Sequence, residues 1–305
     1  MRYRYVTADV FTAQAYQGNP LAVVLDAEGL DTAQMQRIAR EFNYTETSFV
    51  LAPREAAHTA WVRIFTPDRE VPFAGHPNVG TAVVLAREMI AAGRPAPARF
   101  VFEEAAGLVR IELQYDESGQ LLGAELAAPQ PLTRGSQATA EAVARALRLQ
   151  PGDIELSEHA PQVVSVGLAF LVVQLANRDA LRRAAPDAAG YAALGLRDEA
   201  RSIYAYTTDT GADTAQGLTD IQARMFTGRM TEDPATGSAT GAATALRAAL
   251  QGGAALRLRV GQGVDMGRAS LLLAHAEGRP DGVWAGVAGQ AVVVMEGTLP
   301  APAAG

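Results

Sequence analysis

The chain contains no cysteine. That excludes disulfides, thiolate zinc sites, iron–sulfur clusters and every thiol mechanism, and it is consistent with a cytoplasmic protein. Charge is also sparse. Charged residues make up 19% of the chain, the net charge is −7 and no basic run exceeds two residues, so nucleic-acid binding is disfavoured. An anionic substrate therefore has to be held by local dipoles rather than by the field of the whole protein. No apolar stretch approaches the roughly 18 residues that a membrane-spanning helix needs, and the start MRYRYVTADVF lacks the apolar core of a secretory signal. His58, His76, His159 and His275 show no metal-ligand spacing, so no metal is expected. What is plentiful is apolar surface: 49% of 305 residues, enough to fill the cores of two domains and to argue against disorder.

The most informative stretch is MTEDPATGSATGAA, from Met230 to Ala243. Pro234 suits a turn or helix start, Gly237 allows close approach to the backbone, and Thr236 and Ser238 are good helix N-caps. Together they read as a helix N-terminus offering unpaired N–H groups beside the carboxylates of Glu232 and Asp233, an arrangement suited to binding an anion. An earlier stretch resembles it. Arg63-Ile64-Phe65-Thr66 precedes PDREVPFAGHPNVGTA, and Arg224-Met225-Phe226-Thr227 precedes GRMTEDPATGSATGA. The offset is 224 − 63 = 161 at the arginines and 237 − 75 = 162 at the glycines, so a single inserted residue aligns them. Pro72 then matches Pro234, Gly75 matches Gly237 and His76 matches Ser238. The chain reads as two duplicated halves, each supplying one helix N-terminus to a shared cleft.

Periodicity places strands over residues 2–11, 21–25, 48–51, 61–65, 99–102, 107–113, 121–127, 163–175, 202–207, 256–260, 269–274, 283–287 and 291–295. Helices are expected from Asp31 or Thr32 through Phe42, over 78–90, over 138–149 and from Ala180 to Arg183, and one follows Gly237. A polar loop spans 208–219, and the tail from Pro300 should fray. Pro129 and Pro131 mark a boundary between residues 1–128 and 129–288. Strands joined by tight turns around one long helix in each half indicate α+β with antiparallel sheets, not a parallel doubly wound sheet. His76 and Asp233 come from equivalent turns beside glycine-led helix starts, and Glu46 sits where a helix has just ended and a strand begins. Several titratable groups near two helix N-termini suit a small-molecule carboxylate and proton transfer. A carboxylate-binding or regulatory protein without turnover fits the same residues.

The segments GNPLAVV (18–24), NYTETSFV (43–50), FTPDREVPFAGHPNVGTA (65–82), EDPATGSATG (232–241) and QGVDMGR (262–268) resemble the PhzF-like phenazine biosynthesis family, related in fold to diaminopimelate epimerase. The resemblance spans nearly the whole chain. It implies two pseudo-symmetric domains, each a β-barrel-like antiparallel or mixed sheet around a central helix, with residues 289–299 returning to the first domain and a homodimer as the assembly. It also implies a cofactor-free isomerase. Glu46 would shuttle the proton, His76 and Asp233 would complete the catalytic set, and Asn19, Gly75, Gly237 and Ser238 would bind substrate. Related epimerases carry paired thiols in these turns. Here the turns read Ala74-Gly75-His76 and Thr236-Gly237-Ser238, so two-thiol racemisation is excluded while proton relocation by one carboxylate is not. Tyr44 stands where a smaller aliphatic side chain is common in the family.

Overall fold

The structure is a computed structural model describing residues 1–195, 200, 202–211 and 219–303. Most of the loop expected over 208–219, and the last two residues of the tail, lie outside the described residues. The chain forms two compact units, residues 1–127 with 288–305, and residues 128–287.

In the first unit the order is β1 (Arg2–Val10), β2 (Asn19–Leu25), α1 (Thr32–Phe42), β3 (Glu46–Leu51), β4 (Ala60–Phe65), β5 (Glu70–Val71), α2 (Gly75–Ala91), β6 (Arg99–Glu104), β7 (Gly107–Tyr115) and β8 (Leu121–Ala127). The second contains β9 (Thr133–Gln137), α3 (Ala140–Ala146), β10 (Gln162–Ser165), β11 (Ala169–Gln174), α4 (Arg178–Arg183), α5 (Ala188–Leu194), β12 (Ile203–Thr207), β13 (Ile221–Phe226), β14 (Glu232–Asp233), α6 (Gly237–Leu250), β15 (Leu256–Gln262) and β16 (Ser270–Arg279). The final strand, β17 (Gly282–Pro300), gives its first residues to the second unit and the remainder to the first.

Strand pairing closes the first unit on itself. β1 pairs antiparallel with β2, β2 parallel with β3, β3 antiparallel with β4, β4 parallel with β6, and β6–β7–β8 antiparallel. β8 then pairs with β17, and β17 returns antiparallel to β1. The result is a barrel with no free edge, and α2 runs through it. Residues 76–84 and Ala86 of α2 are all buried, packed on β1, β2, β3, β7 and β8. α1 lies outside. Met35, Ile38 and Ala39 face Phe49, Phe65, Tyr3 and Val24, and Asp31 closes a reciprocal capping box with Gln34.

The second unit repeats the scheme. β10–β11 is antiparallel, β11–β12 parallel, β12–β13 antiparallel, β13–β15 parallel and β15–β16 antiparallel. α6 packs on β10, β11, β15 and β16, and residues 128–132 bond to β17 through Ala128 N to Ala285 O and Leu132 N to Val283 O, both 2.8 Å. Each half also repeats a bidentate clasp. Arg63 donates to Glu70 (2.7 and 2.7 Å), and Arg224 donates to Glu232 (2.8 and 2.7 Å). The residue inserted between the repeats sits in the turn inside this clasp. Thr66 N bonds Arg69 O, whereas Thr227 N bonds Thr231 O one position further along.

The sheets are mixed, one of the two forms the resemblance implied, because α1 and α2 act as crossovers that bring their flanking strands side by side in parallel. Four expectations about single elements are corrected. α2 begins at Gly75, not Asn78, since Pro77 is tolerated within a first turn. The apolar run 163–175 is a hairpin, β10 and β11, and the helix expected over 138–149 is confined to α3 with β9 ahead of it. Residues 283–287 and 291–295 belong to one continuous strand.

Packing inside the barrel is tight at α2. A Cβ on Gly80 would lie 2.6 Å from Leu21 Cδ2 and 2.7 Å from Val10 Cγ2. Gly80→Ala is expected to destabilise the protein by about 1–3 kcal/mol through overpacking, despite alanine's better helix propensity. Urea denaturation measures this, and a neutral or stabilising result would contradict the packing. A carboxyl group is also buried. Both carboxyl oxygens of Glu104, at the end of β6, are buried without a hydrogen bond, and burial pushes its pKa up to about 8 while the facing Asn78 amide opposes this. A folded-state pKa above the unfolded value means that folding takes up a proton, so stability falls as pH rises from the ordinary carboxylate range towards 8. Glu104→Gln removes that loss. Its stability advantage over wild type should grow between pH 5 and pH 8 and then level off, and parallel urea midpoints across that range would contradict it.

Candidate active site

The first unit gathers its polar residues at the end of the barrel where α2 starts. α1 ends because Asn43 takes a left-handed conformation (φ 53°), its N–H donating to Ala39 O at 3.1 Å. Three residues later Glu46 opens β3, aligned with Leu21 of β2, so Asn19 and Glu46 stand at adjacent strand starts. His76, the second residue of α2, reaches both. Its Nδ1 lies 3.4 Å from Glu46 Oε2 and 3.5 Å from Asn19 Nδ2, and Thr45 Oγ1 donates to Asn19 Oδ1 at 3.4 Å.

His76 is 5% exposed, and burial drives its pKa down to about 3, with the Pro20 carbonyl pulling weakly the other way. The ring is therefore neutral at physiological pH. Nδ1 can donate to the Glu46 carboxylate or accept from the Asn19 amide, but it cannot do both in one tautomer. Glu46 keeps 16% of its side chain exposed, enough to meet a ligand.

The start of α2 has no side-chain cap. Ala74, its N-cap residue, is extended and has no side-chain acceptor. The N–H groups of the first turn, from Gly75 onward, are left for other partners. Asn78 steadies the entry from within, donating from Nδ2 to Ala74 O at 3.0 Å.

The second unit presents a parallel arrangement built from different residues. α6 starts at Gly237 behind Thr236, and again no side chain caps it. The cap role expected of Thr236 is corrected: its hydroxyl donates to Asp233 Oδ2 instead. Ser238, half-buried, is the second residue of α6 and occupies the place of His76. Gln262 binds the turn between Asp233 and Thr236. The structure thus brings Glu46, His76, Asn19 and Gly75 together in one unit, and Asp233, Gly237 and Ser238 together in the other. Tyr44 packs its ring on Phe42, with centroids 6.0 Å apart. Sequence reasoning passed over Thr236 as a partner of Asp233, and over Gln262, Asn78 and Glu104. Only the position of Gln262 opening the QGVDMGR segment hinted at any of these.

The model of phenazine biosynthesis-like proteins matches residues 8–297. The chain is 39% identical over 276 residues to an uncharacterized isomerase of Mesorhizobium japonicum, covering 87% of this chain and 88% of that one. It is 35% identical over 304 residues to the trans-2,3-dihydro-3-hydroxyanthranilate isomerase of Pseudomonas fluorescens, covering 97% and 99%. The crystal structure of a PhzF-family phenazine biosynthesis protein from Bacillus anthracis superimposes with a TM-score of 0.86 at 25% identity, over 98% of this chain and 99% of that one. Two barrel-like units each wrapped on a helix, a match along almost the entire length and relatives that are isomerases agree: the chain belongs to the phenazine biosynthesis-like (PhzC-PhzF) protein family and is an isomerase.

Proposed function

We propose that the protein relocates a proton on a small cyclic carboxylate without a cofactor, with Glu46 as the acid/base that takes the proton from one carbon and returns it to another. The observation that carries this reading is the Glu46 carboxylate 3.4 Å from a buried imidazole at the edge of an uncapped helix start. The helix N-terminus suits the substrate carboxylate, and the acid/base stands next to it. His76, held neutral, is a poor proton acceptor. As an Nδ1–H donor it orients the carboxylate of Glu46 and supports its charged form.

The inventory of reactive groups narrows the chemistry further. With no cysteine there is no thiol base, and with no lysine in the chain there is no amine to form a covalent link to a carbonyl substrate or cofactor. Carboxylates and imidazole remain for moving a carbon-bound proton. In this reading Asp233 is the second catalytic carboxylate, and Asn19, Gly75, Gly237 and Ser238 bind the substrate. The relative from Pseudomonas fluorescens acts on trans-2,3-dihydro-3-hydroxyanthranilate, and a cyclic, partly unsaturated amino acid of that kind is the first substrate to test. A homodimer and a cytoplasmic location complete the reading.

Glu46→Gln keeps the size and polarity of the side chain and removes its acid/base function. Turnover of dihydro-hydroxy aromatic carboxylates should fall by about 10²–10⁴-fold or more, while binding of a carboxylate ligand survives. In D₂O the wild type should place solvent deuterium on the product carbon wherever Glu46 exchanges before it reprotonates. A mutant that turns over at the wild-type rate would remove Glu46 from the mechanism. A wild type that binds carboxylates and transforms none would make the protein a binder instead.

A further inference from the structure

Gln262 is the last residue of β15 and is fully buried. Its Oε1 accepts from Thr236 N–H at 3.1 Å, and its Nε2 donates to Asp233 O at 2.8 Å and to Thr236 Oγ1 at 3.2 Å. These bonds span the turn between the two residues, and the donor to Thr236 Oγ1 has a directional consequence. Because that oxygen receives a proton from Gln262, its own proton points elsewhere, and it points to Asp233 Oδ2. A one-way relay of donors therefore runs from Gln262 through Thr236 to the carboxylate.

The turn is clamped from the other side as well. Ser270 Oγ donates to Pro234 O at 3.0 Å. Gly263 holds φ +73° where a Cβ would lie 2.6 Å from Pro234 O, so the chain after Gln262 lies against the chain after Asp233.

The duplication shows that this position is used twice. β4 and β6 pair Ala60 with Phe102 and Trp61 with Glu103. β13 and β15 pair Ile221 with Val260, Gln222 with Gly261 and Ala223 with Gln262. Matching Ala60 to Ile221, at the 161-residue offset of the arginines (221 − 60), makes Glu104 the counterpart of Gln262. Glu104 ends its strand facing Asn78, which holds Ala74 O, and Ala106 N donates to Pro72 O at 3.1 Å as Ser270 does to Pro234 O. Both halves thus place a buried polar side chain at the end of the parallel strand, against the turn that leads into the central helix. In the second unit the contact is direct. In the first it passes through an asparagine.

We propose that Gln262 is a positioning residue for the isomerase reaction: it fixes the turn from Asp233 to Thr236, setting the direction of the Asp233 carboxylate and of the first N–H groups of α6. This rests on the function proposed above for Asp233. The amide of Gln262 supplies one acceptor and two donor bonds, and no other residue type of that length supplies both. Leucine at 262 removes all three bonds at similar volume. Glutamate keeps the acceptor for Thr236 N–H and loses both donors.

The experiment compares Gln262→Leu, Gln262→Glu and a control, Val173→Ala, which opens a cavity in the outer core of the same unit. Amide hydrogen exchange over residues 235–238 and turnover of trans-2,3-dihydro-3-hydroxyanthranilate are read for each. Exchange in that segment should rise about tenfold or more in Gln262→Leu. Turnover (kcat) should fall about tenfold or more in both Gln262 variants, with KM changed less than kcat. Val173→Ala should lose stability and keep both properties near wild type. Wild-type exchange and kcat in Gln262→Leu would overturn the proposal, and so would an equal loss of kcat in Val173→Ala. Should Gln262→Leu fail to fold, the comparison of Gln262→Glu with wild type decides by the same criteria. If the wild type does not turn over this compound, the proposed substrate fails separately, and the exchange measurement still decides whether Gln262 holds the turn.

Discussion

A helix threaded through a closed barrel has to end somewhere, and its ends carry unpaired backbone groups. That constraint governs the rest of this structure. Residues 76–84 of α2 are buried without a break, so the first half of the helix is enclosed by the barrel. Neither α2 nor α6 spends a side chain on capping its N-terminus. In most helices such a cap contributes about 1 kcal/mol. Its absence from both central helices leaves N–H groups and the positive end of a dipole directed at whatever occupies the space ahead of them. In the proposed function an anionic substrate is that partner, and such a site would let a chain of net charge −7 bind a carboxylate without a basic patch.

The two halves keep this scaffold and diverge in what they place on it. At the 162-residue offset His76 matches Ser238, Val71 matches Asp233 and Ala74 matches Thr236. The first unit carries a carboxylate beside a neutral imidazole. The second carries a carboxylate that accepts from the Thr236 hydroxyl, which in turn accepts from the Gln262 amide. Burial keeps His76 uncharged, so the imidazole beside Glu46 is not a fixed cation, which in the proposed function suits a group that must both give and take a proton. Duplication supplied the geometry, and single substitutions at matched positions supplied the chemistry.

Much of this was legible before the structure. The glycine-led helix starts, the pairing of the two motifs and the position of Glu46 after a broken helix all follow from local rules. What stayed hidden has identifiable causes. The start of α2 was placed too late because Pro77 reads as a breaker, yet in a first turn its missing N–H costs no hydrogen bond. Thr236 was read as a cap because its local sequence favours one; Asp233, only three residues back, competes for the hydroxyl and wins. The break expected within β17 reflects Gly289 and Gln290. A glycine there reads as a turn, but it lies where a Cβ would come within 2.3 Å of Phe11 Cδ1, so it serves close packing inside a continuous strand. Gln262 and Glu104 could not be matched in sequence at all. Their separation, 262 − 104 = 158, differs from the motif offset because α2 and the segment after it are longer than α6 and the segment after it. Only strand register reveals the equivalence.

The central proposal is that the uncapped helix starts, α2 in the first unit and α6 in the second, are each able to bind a carboxylate. The most direct test follows the backbone amides of Gly75, His76, Gly237 and Ser238 by ¹⁵N–¹H NMR while benzoate is titrated into the wild-type protein, with benzamide as the neutral isostere. The account predicts saturable shifts concentrated at these amides with benzoate and none with benzamide. Equal shifts with both ligands, or benzoate-induced shifts that leave all four amides unmoved, would contradict it.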